Sequence, residues 1–238
     1  MTALVLQARL DSTRLSGKSL LPLEDEPLIY RVMEALAAVP CDVHVLACPE
    51  DCLVSFSPLA VRAGFEICAG PKDDVLARYC LAIRRFSPDW VIRATGDNPF
   101  VFADAAAAIT EEAAALKADY SAYAGLPYGA GVEVIRAEAL IRAEEKASLS
   151  EEREHVCPYL YNHPELFRLH RPLAPCKWQV PQTSQAKASQ TNRGYRLTVD
   201  TLEDYNHAKK LYQLLSKKNA GSARYRGTTI LEAADEAG

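Results

Sequence analysis

Short apolar runs alternate with amphipathic stretches of helical period along the N-terminal part of the chain, and that rhythm leaves few folds open. Ala3 to Leu6 is apolar and ends in a polar, Gly-containing stretch from Arg9 to Lys18, after which Leu20 to Leu23 resumes the apolar pattern. Pro27 to Ala38 sets Leu28, Ile29, Val32, Met33 and Leu36 at helical spacing, with Pro27 suited to a first turn. Asp42 to Ala47 and Phe65 to Cys68 read as strands, Asp73 to Phe86 as an amphipathic helix, and Trp90 to Ala94 as another buried strand. Strands separated by helices cannot pair as hairpins. They imply βαβ units and a mostly parallel sheet covered on both faces, an α/β fold.

Beyond residue 100 the pattern changes. Asp104 to Lys117 is Ala-rich and helical with Asp104 as its expected N-cap, and Asp119 to Tyr123 begins a strand. Gly125 to Gly131 is turn-rich and leads into an apolar run from Val132 to Ile135, Ala137 to Lys146 is helical, and Glu151 to Asn162 is helical with an interruption at Pro158. Pro172 to Gly194, rich in Pro, Gln and Ser around Trp178, reads as an arm, lid or dimer-forming excursion and not as core. Tyr195 to Val199 returns to strand pattern and Leu202 to Leu215 to helix. The expectation is one domain over residues 1–238, with a core of 1–124 and 195–238 and an acceptor-binding or dimerising excursion over 125–194.

Composition limits the partners. A chain of 238 residues can bury a sizeable core, and 49% hydrophobic with 24% charged residues excludes a disordered chain. The formal charge of −4 argues against a nucleic-acid or anionic-membrane surface, so any polyanion must be met locally. No secretory signal or membrane-length apolar run stands out, which points to the cytoplasm, where seven cysteines are expected to remain thiols. His44, Cys48 and Cys52 lack the paired spacing of a zinc site.

The loop from Arg9 to Lys18 carries three cations, three hydroxyls and a glycine just past the first strand, where ligands of α/β sheets bind. Guanidinium groups grip phosphate oxygens bidentately, a lysine adds a point charge, and Gly17 admits the backbone closely, as a triphosphate requires. A solvated basic turn has the same composition, and the spacing is not that of a Walker loop.

Residue order goes further. Gln7-Ala-Arg-Leu-Asp-Ser-Thr-Arg-Leu-Ser-Gly-Lys-Ser-Leu20 resembles the signature of CMP-sugar synthetases, x-A-R-x-x-S-T-R-L-P-G-K-x-L, with the SpsF-type cytidylyltransferases of spore-coat polysaccharide biosynthesis nearest and the CMP-3-deoxy-manno-octulosonate and CMP-acylneuraminate synthetases more distant. The resemblance continues through Asp73 to Tyr79, Ile92 to Pro99, Gly131 to Val134, Glu152 to His155 and Arg196 to Asp204. It implies a Rossmann-like nucleotide-diphospho-sugar transferase fold with a projecting arm, and a magnesium-dependent transfer of CMP from CTP to a sugar or sugar-acid hydroxyl. It implies further that Arg9, Ser12, Arg14 and Lys18 hold the triphosphate, with Gln7, Ala8 and Thr13 beside them, and that Asp97 and Asp200 hold Mg²⁺. Arg9, Arg14, Lys18 and Asp97 are then the catalytic set.

By the same resemblance Asp74, Arg78, Arg93 and Thr95 belong to the base and ribose side, Thr95 through a hydroxyl that could read a base edge, and Glu133, Arg153, Glu154 and His155 to the acceptor side. The plainer readings are that Asp74 and Arg78 pair along a helix, that Asp97 is a turn residue, that Asp200 is a helix N-cap and that His155 lies on a helix surface. Ser16 stands where the signature has proline, and residues 130 and 131 depart from the usual Leu-Asp, so the acceptor is the least defined feature. The expected partners are CTP, a small acceptor and a second copy of the chain, with neither nucleic acid nor membrane. A glycosyltransferase using a ready-made nucleotide sugar would normally carry a DxD motif, where Gly96-Asp97-Asn98-Pro99 has a single carboxylate; a noncatalytic nucleotide-binding protein would not need the full set of cations and aspartates.

Overall fold

A computed structural model describes residues 1–12, 14–180, 195–218 and 221–237. The chain runs through β1 (Thr2–Gln7), a small hairpin of β2 (Pro22–Leu23) and β3 (Glu26–Pro27), α1 (Leu28–Ala37), β4 (Val43–Pro49), α2 (Leu53–Ala63), β5 (Glu66–Gly70), α3 (Val75–Phe86) and β6 (Trp90–Thr95). It continues through α4 (Ala103–Leu116), β7 (Tyr120–Ser121), β8 (Glu133–Arg136), α5 (Ala137–Lys146), α6 (Ser150–His155), α7 (Pro158–Asn162) and β9 (Leu169–His170), and ends with α8 (Leu202–Lys218) and α9 (Gly227–Ala237).

The sheet has seven strands in the order β5-β4-β1-β6-β8-β7-β9, parallel except for β8, which pairs antiparallel with both β6 and β7. From β1 the chain winds outward through β4 to β5, then returns to lay β6 on the other side of β1. The carboxyl ends of β1 and β6, where Gln7 lies opposite Thr95, are therefore a topological switch point and open a crevice.

Alternation along β1 divides the core. Leu4 and Leu6 face a cluster with α1, α2 and α4, whereas Ala3 and Val5 face one with α3, α5 and α7. A third cluster joins Leu28, Phe100 and Phe102 to α8 and α9.

Several expectations are corrected. Asp104 lies inside the first turn of α4, which Phe102 caps, and its carboxylate instead accepts from the Trp178 indole (3.0 Å) and the Gly227 amide (2.8 Å). Trp178 is consequently core, only 3% exposed, although sequence placed it in an arm; residues 181–194 of that stretch lie outside the described residues. Residues 195–199 form no strand: the Leu197 amide donates to Tyr128 O and the Val199 amide to Asp97 O, so this extended segment is tied to loops. The interruption expected within Glu151 to Asn162 is present but falls earlier, at Val156 and Cys157, and Pro158 opens the second helix. Helices α2 and α9 are elements that the sequence pattern did not single out.

Candidate active site

A cleft of about 480 Å³ opens at the switch point. Gln7, Ala8, Arg9, Ser12, Arg14 and Lys18 line one wall, arriving from β1 and the loop after it. Arg78, Arg93, Thr95, Asp97, Asp200, Glu154 and His155 line the rest. Among the expected site residues, Asp74, Glu133 and Arg153 are not on the surface of the cleft, and Thr13 lies outside the described residues. Sequence reading missed Asn98, Tyr128, Gly129 and Thr198. Asn98 stood within a quoted motif; the others are set by how loops meet. Gly129, at φ +94, lies so close to the 197–198 backbone that a Cβ would fall 2.7 Å from the Thr198 amide nitrogen.

Lys18 is the centre of the charge arrangement. Gly17 adopts φ +64 and starts the short turn that directs Lys18 inward. The Lys18 ammonium donates to Asp97 Oδ2 (3.1 Å), Asp200 Oδ1 (3.0 Å) and Val199 O (2.8 Å). Asp200 also meets Arg14 Nη2 (3.1 Å) and Arg196 Nη2 (2.7 Å). The N-cap reading of Asp200 fails, because Thr201 caps α8: its Oγ1 accepts from the Asp204 amide (3.1 Å), while Asp204 Oδ2 accepts from the Asp200 and Thr201 amides (3.0 Å each). The Asp200 carboxylate is thereby left facing the cleft.

Thr95 gives its one hydroxyl proton to Asp97 Oδ1 (2.7 Å) and accepts from the Asn98 amide group (2.8 Å), so it has no proton left to offer a base. Arg93 pairs with Glu133 and donates from Nε to Gln7 Oε1 (3.2 Å); Tyr120 donates to the second Glu133 oxygen (2.6 Å). Burial works against the charge on Arg93, but Glu133 and the neighbouring Cys157 and Tyr79 outweigh it and raise the guanidinium pKa.

Arg78, 2% exposed, behaves differently. Its Nη1 reaches only Lys72 O at 3.4 Å, its Nε has no hydrogen-bond partner among the described residues, and burial lowers its pKa. Asp74 does not pair with it. One Asp74 oxygen caps α3 through the Ala77 amide (2.9 Å), and the other accepts from Arg153 Nε (2.7 Å). Arg153 also donates to Glu144 O and Ala147 O, 3.1 Å each, which anchors α6 and its Glu154 and His155 beside the cleft.

The donor set suits a hard divalent cation. Carboxylate oxygens from two remote segments already reach one cationic centre, and two protein carboxylates leave further positions for phosphate and water, as Mg²⁺ prefers.

The cytidylyltransferase family model matches residues 3–225. The chain is 33% identical over 229 residues to the spore coat polysaccharide biosynthesis protein SpsF of Bacillus subtilis, covering 92% of this chain and 89% of that protein. A solved cytidylyltransferase from Leptospira borgpetersenii is similar with a TM-score of 0.83 at 22% identity, over 99% of this chain and 94% of that one. A CMP:2-keto-3-deoxy-manno-octonic acid synthetase complexed with CTP is similar with a TM-score of 0.65 at 16% identity, over 89% of this chain and 98% of the other. At those identities the two structures speak to the fold.

Proposed function

The chain belongs to the cytidylyltransferase family, and from that premise we propose that it transfers CMP from CTP to a sugar or sugar-acid hydroxyl, with Mg²⁺ held by Asp97 and Asp200, in the making of a surface polysaccharide or glycoconjugate. The observation that carries this reading is the meeting, in one cleft at the switch point, of the cationic loop after β1 with two carboxylates that the chain separates by about a hundred residues. A glycosyltransferase would have little use for so many cations around a nucleotide that has already lost its pyrophosphate.

In this reading the acceptor hydroxyl gives up its proton to solvent as its oxygen attacks the α-phosphorus, the bond from that phosphorus to the bridging oxygen breaks, and pyrophosphate leaves with that electron pair. Arg9, Arg14 and Lys18, helped by Ser12, bind the triphosphate and offset the charge that gathers on the leaving oxygens. A divalent ion, when bound, polarises the α-phosphate and lowers the pKa of the attacking hydroxyl. Gln7, Ala8, Arg78, Arg93 and Thr95 shape the nucleoside side, where the unpaired Nε of Arg78 suits a carbonyl or hydroxyl oxygen. Glu154 and His155 face the acceptor, Asp74 and Arg153 act behind them as supports, and Glu133 steadies Arg93. The enzyme works as a homodimer in the cytoplasm; a strict monomer in sedimentation under assay conditions removes the dimer.

The test is pyrophosphate release with each of the four nucleoside triphosphates, Mg²⁺ and a panel of sugars and sugar acids. Release is expected with CTP and an acceptor, and is expected to fall by at least about a hundredfold in Asp97→Ala or Lys18→Ala protein that remains folded. Release with UTP alone, or hydrolysis of a ready-made nucleotide sugar, overturns the reading.

A further inference from the structure

Lys18 uses every proton it has on the two carboxylates and their neighbour. An ammonium offers three, and here they go to Asp97, Asp200 and the Val199 carbonyl. The contacts are sheltered, with the Lys18 side chain 13% exposed and that of Asp200 7%, so water weakens them little. Arg14 and Arg196 add to the grip on Asp200, and Arg196 also holds Asp204 at 3.2 Å. Asp97, Asp200 and Asp204 are thus balanced in charge by Lys18, Arg14 and Arg196 within one connected cluster.

A divalent cation held by Asp97 and Asp200 would need those oxygens at about 2.0–2.1 Å for magnesium. The Lys18 nitrogen fills that same space, 3.1 Å from the Asp97 oxygen and 3.0 Å from the Asp200 oxygen, and two cations so near each other repel. The carboxylates must therefore lose the ammonium before they can take a metal. A ligand that offers the loop other oxygens supplies a reason for it to leave. A triphosphate does so, since Lys18 and Arg14 share the cleft wall with Arg9 and Ser12, and Gly17 beside Lys18 has open space around it.

We propose that Lys18 gates the metal site: its ammonium closes Asp97 and Asp200 to divalent cations and releases them when triphosphate oxygens draw it away, so that metal enters only with nucleotide. This rests on the reading of the cleft as a site for a nucleoside triphosphate and metal. It assigns Lys18 an action before the chemical step, in addition to its contact with phosphate.

The gate makes a directional prediction that a purely structural lysine does not: removing a side chain improves binding. Mn²⁺ is titrated into the full-length chain without nucleotide, and the free ion is read by its paramagnetic resonance signal. Lys18→Met protein should bind Mn²⁺ at least about tenfold more tightly than wild type, a change of about 1.4 kcal/mol, and Lys18→Met/Asp97→Asn should lose the gain. No gain in Lys18→Met, or a gain that survives in the double variant, overturns the gate. Lys18→Gln is a second substitution if the methionine variant melts early. Micromolar binding of Mn²⁺ by wild-type protein alone overturns the gate without any variant. Calorimetric titration of CTP into wild type with Mn²⁺ separates the two levels: absence of CTP binding removes the reading of the cleft, whereas CTP binding without the Lys18→Met gain removes only the gate.

Discussion

Arg93 and Glu133 illustrate what single residues disclose and what they hide. Both stood out in the sequence, Arg93 on the nucleotide side and Glu133 on the acceptor side, yet they are partners across adjacent strands, with Gln7 and Tyr120 completing a chain of contacts from the cleft toward the sheet edge. No spacing rule could join them, because the register of β6 against β8 brings together residues forty apart. Asp200 was legible as a carboxylate near a helix start; that Thr201 and Asp204 take over the capping and free it for the cleft depends on side-chain geometry. The Arg93 and Glu133 side chains are 14% and 21% exposed, so neutralising one partner leaves a poorly solvated charge. Glu133→Gln should lower stability by about 3 kcal/mol, measured as a shift in the urea midpoint at constant slope.

The elements were most legible where hydrophobic period is strong. Helices α1, α3 and α5 appear within a residue or two of where spacing put them, as do β1, β4, β5 and β6. Helix α2 was obscured by Pro58, whose ring removes the bond to the Val54 carbonyl; Val54 is 89% exposed, so water can satisfy that group. The 195–199 segment has the apolar alternation of a strand but bonds to the Tyr128 and Asp97 carbonyls, which are features of tertiary layout alone. Between α3 and the sheet, the single proton of the buried Tyr79 hydroxyl goes chiefly to Val5 O (3.0 Å), with Ala94 O more distant at 3.4 Å, so the phenol touches both β1 and β6 beneath the cleft. Tyr79→Phe should cost about 1 kcal/mol at neutral pH. Burial raises the phenol pKa, so the unfolded chain ionises near 10.0 while the folded one holds its proton. That contribution is whole below pH 10.0 and is lost as pH rises through it toward the folded value. Urea midpoints of wild type and Tyr79→Phe should therefore converge in alkali.

At the scale of the whole molecule, the order of strands decides where chemistry can occur. A mostly parallel sheet with a ligand site just past its first strand followed from the alternation of strands and helices, but the reversal of winding between β1 and β6 and the loops that close the crevice did not. Trp178 is the clearest example: in a stretch rich in proline and glutamine it reads as peripheral, yet it packs against Tyr123 at 5.7 Å between ring centres and links α4 to α9 through Asp104. Composition reports how often such stretches are solvated, and a single aromatic anchor reverses the outcome by burying a large apolar area. Trp178→Ala should cost about 3–5 kcal/mol, visible in thermal melts. The central claim, that the loop after β1 and two remote carboxylates cradle a metal-bound triphosphate, is tested most directly by anomalous diffraction from Mn²⁺ in crystals grown with CTP. The account predicts one strong manganese peak bridging Asp97 and Asp200, with the triphosphate along Arg9, Arg14 and Lys18; a peak elsewhere, or nucleotide bound away from that loop, would contradict it.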